Sequence, residues 1–339
     1  MSARKLLSVI LIITVLGLAA GCSESIPSQS GFVLGTLCTI TLYDKGRPQV
    51  YRSIFSRLQQ IEDLMNTHAE GSDVDRINKS AGIEPVKVHD DVFEVIERAL
   101  YYAEISGGAL DLTVQPLVSL WDIGGEHPRV PAQEEIDNVL PLINWRYVEL
   151  DKENKTVFLK KPGMALDLGA IAKGYAADEA AAIIRKARIP RAVVDLGGNI
   201  LTVGEKEDKS LWRIGIQNPR DSRGAYIGVV QVKEKTVVTS GVYERYFVQD
   251  GVRYHHIFSP QEGFPVRNGL LSVSIIGDSS MDADALSTAA FVLGYEKGRA
   301  LIESLEGVEA IFLFEDQTIR MSTGVDFVLR DDNFRIVED

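Results

Sequence analysis

Cysteine is almost missing from this chain, with only Cys22 and Cys38 in 339 residues. Two thiols cannot build a disulfide framework or a cysteine-rich zinc site. An excess of basic charge is missing too. Lys and Arg number 36 against 48 Asp and Glu, a net charge of -12, which argues against general binding to nucleic-acid phosphates. The sequence carries no Gly-x-Ser-x-Gly elbow, no P-loop and no dinucleotide glycine fingerprint, so a serine hydrolase or a Rossmann-type enzyme has little support. It also lacks internal repeats, low-complexity stretches and, beyond Leu18, any hydrophobic run of membrane length. With 45% hydrophobic and 25% charged residues, it reads as a folded globular chain, not as a disordered, collagen-like or coiled-coil one.

The N-terminus carries the first positive signal. Arg4 and Lys5 precede an apolar run from Leu6 to Leu18, followed by Ala19-Ala20-Gly21-Cys22. As a helix that run spans about 20 Å, short of the roughly 30 Å hydrocarbon core. The pattern predicts a signal peptide over residues 1–21. Small residues before Cys22 resemble a bacterial lipobox, with Ala19 where Leu is commoner. On this reading Cys22 carries lipid, residues 22–30 form a polar tether and residues 31–339 form the folded domain. The protein would then sit on a bacterial membrane (the inner membrane) facing the periplasm, and Cys38 would have no intramolecular partner. A plain signal peptide with an incidental Cys22 is the alternative.

The rest predicts an α+β domain of mixed, largely antiparallel sheets with packed helices. Helical spacing covers Gln49 to Met65, Val92 to Ile105, Ala170 to Ala187, Asp282 to Leu293 and Glu296 to Leu305. Phe32 to Tyr43 reads as one strand, and Tyr147 to Leu150 with Thr156 to Leu159 as a hairpin. Further strands are expected at Ala192 to Asp195, Trp212 to Gln217, Gly228 to Val232, Thr236 to Thr239, Arg253 to Phe258, Ser272 to Ile276 and Ala310 to Phe314.

Four polar groups stand out. Asp167-Leu168-Gly169-Ala170-Ile171-Ala172-Lys173-Gly174 is a small-residue turn entering a helix. Its backbone N–H groups and Lys173 suit a phosphate, and Asp167 could bond a ligand or simply cap the helix. Asp284 and Thr288 are four apart on a helix, so their oxygens share one face. A carboxylate with a hydroxyl suits Mg²⁺ better than zinc, although a helix cap with a buried Thr fits as well. His255 and His256 are adjacent on an expected strand and must face opposite ways, which leaves one free to act as a base and the other to pack. Thr239-Ser240-Gly241 places hydroxyls at a strand end, or marks a β-bulge.

In this order the pieces resemble the ApbE-type flavin transferases, the FAD:protein FMN transferases. The likeness is carried by Leu34-Gly35-Thr36, Glu62 to His68, Gly108 to Leu117, Asp167 to Gly174, Asp195 to Asn199, Trp212 to Pro219, Thr239 to Gly241, His256 with Pro260 and Gly263, and Asp284 with Thr288. Together they span nearly the whole mature chain. The resemblance implies FAD in a cleft between two intimate lobes, with Mg²⁺ on its pyrophosphate. FMN would pass to a Thr or Ser hydroxyl of a target protein in a membrane redox complex, and AMP would leave. By the same resemblance Leu34, His68, Ala109, Leu110, Asp111, Asp167 and Lys173 surround FAD. The Ala170 carbonyl, Asp284 and Thr288 hold the metal, while His256, near an ordinary pKa of about 6.5, takes the acceptor's proton with Asp284 beside it in the catalytic set. Position 68 departs from the family, since many relatives carry Tyr there. Two alternatives use the same site: an Mg²⁺-dependent FAD pyrophosphatase giving FMN and AMP, and a lipoprotein that binds FAD without chemistry.

Overall fold

Alternating apolar and hydroxyl residues start the first sheet, and a change to helical spacing ends it. The computed structural model describes residues 28–44, 47–222 and 224–338. The expected signal peptide, Cys22 and residues 23–27 of the tether lie outside these. Residues 28–30, read as tether, already belong to a strand: β1 (Ser28–Val33) pairs antiparallel with β2 (Thr36–Leu42). The single strand expected from Phe32 to Tyr43 is therefore a hairpin. Its turn is Leu34-Gly35, with φ of 57° and 66°. Two successive positive φ values make the tight connection whose twist matches the flanking strands, a reversal that apolar alternation alone does not reveal.

The helices follow the expected spacing. Pro48 sits in the first turn of α1 (Pro48–Met65), where its missing N–H costs nothing. Val50, Tyr51, Ile54, Leu58, Ile61 and Met65 form the buried stripe of that helix. The short α2 (Asp73–Lys79) is capped by Ser72, which accepts from Asp75 N–H at 3.0 Å. After β3 (Val86–Lys87) comes α3 (Asp90–Ile105), and then α4 (Gln115–Trp121) and α5 (Gln133–Val139), both too short to show a period in the sequence. The hairpin β4 (Val148–Asp151) and β5 (Thr156–Leu159) forms as expected and takes β3 along its edge.

The Ala-rich α6 (Ala172–Lys186) begins two residues later than its periodicity suggests. Then come β6 (Ala192–Leu196), β7 (Asn199–Val203), β8 (Trp212–Gln217), β9 (Tyr226–Val232), β10 (Thr236–Gly241), β11 (Tyr246–Gln249), β12 (Val252–His255) and β13 (Leu270–Gly277). The strand expected over Arg253 to Phe258 stops at His255, because the chain turns there to bring Phe258 opposite Pro265. The two expected late helices form α7 (Ser280–Glu303), broken at Gly294, whose φ of 76° and ψ of 179° no helix holds. β14 (Glu309–Phe314), β15 (Thr318–Met321), β16 (Phe327–Leu329) and β17 (Arg335–Ile336) close the chain.

The main sheet runs in the order β1-β2-β6-β7-β10-β13-β14-β15-β17, and all its pairs are antiparallel except β15 with β17. The fold is thus α+β with largely antiparallel sheet. All eight residues of β13 are buried, as a central strand requires. Helices α6 and α7 pack on one face of this sheet. One apolar cluster extends from Val33 to Phe334 and takes in α1, α3, α6 and α7; a smaller one gathers Leu117, Trp121, Ile123, Ile136, Ile143 and Phe258.

Candidate active site

Strand register gathers several chain turns at one end of the main sheet. Cys38 of β2 pairs with Leu196 of β6, so the Leu34-Gly35 turn and the Gly197-Gly198 turn lie at the same end. They are close: a Cβ on Gly197 would fall 2.2 Å from Thr36 Oγ1. Asn199 pairs with Val238, which carries Ser240 and Gly241 to that end as well. The thiol of Cys38 is buried beneath it, where desolvation and the charge of Asp195 push its pKa up to about 11. It is therefore protonated and inert.

Helices α6 and α7 meet against β7 and β10, and glycine permits it. A Cβ on Gly174 would lie 2.2 Å from Ser280 O. The contact lets Gly174 N–H donate to Asp284 Oδ2 at 2.9 Å. Asp178 of α6 fixes the start of α7 by accepting from Ser280 N–H at 3.0 Å, Met281 N–H at 2.9 Å and Ser279 Oγ at 3.2 Å. It satisfies amide donors that the first turn of a helix leaves open. Arg98 braces the same turn with paired bonds to Asp282 at 2.6 and 2.7 Å.

Asp284 is 4% exposed. Desolvation raises its pKa, opposed by the Lys173 charge and the Gly174 N–H bond. Lys173 Nζ stands 3.8 Å from Asp284 Oδ2 and donates at 3.0 Å to the carbonyl of Gly169, the residue before Ala170. Thr288 is half-buried one turn beyond Asp284, with Oγ1 3.2 Å from Ser240 Oγ. Ser240 in turn lies 2.7 Å from Ser287 Oγ. The helix-cap alternative for Asp284 falls away, since Ser279 is the cap of α7.

Among the described residues no three His, Cys, Asp or Glu side chains gather as a metal cluster. One buried carboxylate, one hydroxyl and nearby carbonyls do not make a zinc site. They fit Mg²⁺, which keeps several waters and draws other ligands from substrate phosphates.

The two adjacent histidines divide as expected. His255 is buried; its Nδ1 accepts from Ile257 N–H at 3.3 Å, so the proton sits on Nε2 and is donated to Val266 O at 2.8 Å. It is a satisfied packing residue against the edge of Phe291. His256 is half-buried, and its Nδ1 lies 3.2 Å from Arg245 O. A carbonyl only accepts, so Nδ1 carries the proton and Nε2 keeps its lone pair. Desolvation first, then the Arg245 and Lys173 charges, depress its pKa to about 3. The expected titration near pH 6.5 is thereby corrected: in the free chain this imidazole is neutral well below that.

The remaining expected residues lie on three other stretches: the turn before α6, the loop after α3 and the turn after α1. Asp167 does not cap α6; its Oδ1 accepts from Gly169 N–H at 2.5 Å, and its N–H bonds Leu112 O at 2.8 Å. That bond ties the phosphate-type turn to the Ala109-Leu110-Asp111 loop. Ala109, Leu110 and Asp111 are buried. Asp111 Oδ1 accepts from Thr113 N–H and Oγ1 at 2.9 and 2.7 Å, and Oδ2 from Trp145 N–H at 3.0 Å. It braces the loop from within. His68 lies on an exposed turn after α1, its backbone N–H bonded to Asn66 Oδ1 at 2.8 Å; no hydrogen bond ties its ring to the other expected residues. Asp178 and Ser287 were not expected at the site, and nothing in their local sequence sets them apart from ordinary helix positions; Gly174 was expected only as part of the turn, without the helix contact it permits.

A buried carboxylate, a lysine, hydroxyls and an oriented imidazole at one sheet end describe a phosphoryl-handling site. The chain belongs to the ApbE family, whose model matches residues 34–312. It is 40% identical over 316 residues to the FAD:protein FMN transferase of Treponema pallidum (strain Nichols), covering 88% of this chain and 87% of that protein. It is 39% identical over 296 residues to the FAD:protein FMN transferase of Klebsiella pneumoniae (strain 342), covering 87% and 92%. Among solved structures, the ApbE protein of Thermotoga maritima matches with a TM-score of 0.81 and 35% identity, over 88% of this chain and 97% of that one. The flavin transferase ApbE of Vibrio cholerae matches with a TM-score of 0.77 and 28% identity, over 91% and 97%.

Proposed function

We propose that this chain transfers FMN from FAD to a Thr or Ser hydroxyl of a target protein and releases AMP. Family membership and the transferase relatives support the reaction class. The observation that carries the reading is the meeting of Asp284, Thr288 and Lys173 at the sheet end, with His256 within reach of the Lys173 charge.

The acceptor hydroxyl gives its proton to His256 Nε2 while its oxygen bonds the FMN phosphorus. The bond from that phosphorus to the bridging oxygen breaks, and the electron pair leaves with the AMP phosphate. Asp284, Thr288 and the Ala170 carbonyl would hold Mg²⁺, which supplies neutralisation of pyrophosphate charge when bound. Lys173 adds a fixed positive charge on the same side. Leu34 and the Ala109 to Asp111 loop would seat the flavin nucleotide, with Asp167 at the entrance to the Lys173 turn and His68 at the rim.

The target is read as a protein of a membrane redox complex. A lipid on Cys22 would hold the enzyme at the periplasmic face of the inner membrane beside it. Incubation with FAD, an acceptor peptide and Mg²⁺ tests the reaction: EDTA should stop AMP release and added Mg²⁺ restore it. Full activity in EDTA contradicts the metal role. Steady FMN and AMP release without acceptor identifies a pyrophosphatase instead.

A further inference from the structure

Arg245 enters the site described so far only through its carbonyl and its charge on the His256 ring. Strand β10 brings Ser240 to Thr288, and five residues later the chain reaches Arg245. The next residue, Tyr246, opens β11 opposite His255, which ends β12. Arg245 and His256 therefore face each other at the open end of this hairpin. Both the backbone N–H and the Nδ1–H of His256 point to the Arg245 carbonyl, each at 3.2 Å. The stem of Arg245 runs past Gly124: a Cβ there would lie 3.3 Å from Arg245 Cδ. The residue is exposed, and among the described residues no carboxylate pairs with its guanidinium. Arg57, Arg98 and Arg191, by contrast, each bond a carboxylate. The Arg245 charge nevertheless bears on the His256 ring more than that of Lys173 does.

The charges of Arg245 and Lys173 thus both act on the His256 ring, and the Arg245 guanidinium keeps its donors free for a ligand. A guanidinium presents parallel N–H donors that match phosphate oxygens. We infer that Arg245 is a further phosphate-binding residue, holding the FAD pyrophosphate together with Lys173 beside His256. This rests on the proposed use of FAD. In the reaction the guanidinium would bond non-bridging oxygens of the pyrophosphate and follow the charge that grows on the departing AMP.

The test compares wild type, Arg245→Gln and Arg245→Lys by flavin fluorescence titration, with FAD and with riboflavin, which shares the ring but has no phosphate. Arg245→Gln should weaken FAD binding about tenfold or more, as expected for loss of a charge-assisted phosphate contact, and leave riboflavin binding unchanged. Arg245→Lys should recover part of the loss. Equal FAD affinity in wild type and Arg245→Gln overturns the inference, as does an equal loss for FAD and riboflavin. Failure of the wild type to bind FAD at all instead overturns the function on which the inference rests.

Discussion

Desolvation disfavours charge at both His256 and Asp284, with opposite consequences for folding and chemistry. The folded-state pKa of His256, about 3, lies below the ordinary value of about 6.5. Above pH of about 6.5 the ring is neutral in both folded and unfolded chains. Below that the unfolded chain takes a proton that the folded chain refuses, so stability falls as pH drops toward about 3. Melting curves from pH 7.5 to 4.5 should show a smaller loss in His256→Asn than in wild type; an identical loss would mean that the ring is solvated. In activity, His256→Asn should lower transfer by about 10²-fold or more with FAD affinity nearly intact, and wild-type kcat/KM should show no inflection from this residue between pH 6 and 7. For Asp284 the raised pKa means stability that is present below the ordinary carboxylate pKa and lost as pH rises through the folded value. Ionisation of this group therefore opposes folding. Asp284→Asn, which can still accept from Gly174, should raise the Tm of the metal-free protein while abolishing transfer. A lower Tm, or near-normal turnover, would contradict this. Site residues commonly give up stability in this way.

Among the elements, the α6–α7 junction decides whether the site exists. Gly174 is where the two helices touch, and the obstacle to a side chain there is backbone, Ser280 O and Met281 Cα, not a movable group. Gly174→Ala should therefore push the helix starts apart, pull the N–H donor off Asp284 and reduce transfer strongly, at a cost of about 1–3 kcal/mol from overpacking. Asp178→Ala removes the acceptor of three bonds at the start of α7 and should cost about 1–2 kcal/mol. Denaturant melts with parallel activity assays check both; wild-type values for either would remove the junction from the account.

Across the whole molecule, how much the sequence discloses depends on how local each cause is. Periodicity located α1 and α3 within a few residues because each has a sustained buried stripe, while the longer α7, buried nearly all round, was read as two helices meeting at its Gly294 break. Periodicity merged β1 and β2 because Leu34, an apolar residue at positive φ, carries no turn signal. The pairing of Asp284 with Thr288 was legible from helix geometry. Their meeting with Lys173 and Ser240 was not, since strand register and the Gly174 contact bring them together. The depressed pKa of His256 was hidden for the same reason, arising from burial and from Arg245, eleven residues away in sequence.

The central claim is that this site joins FMN to a protein. The most direct measurement is the intact mass of a Thr-bearing acceptor peptide after incubation with the enzyme, FAD and Mg²⁺, with AMP counted in the same sample. The account predicts a peptide heavier by one FMN less one water, and one AMP released for each peptide modified, both lost with Asp284→Asn. An unmodified peptide alongside accumulating AMP and free FMN would contradict it.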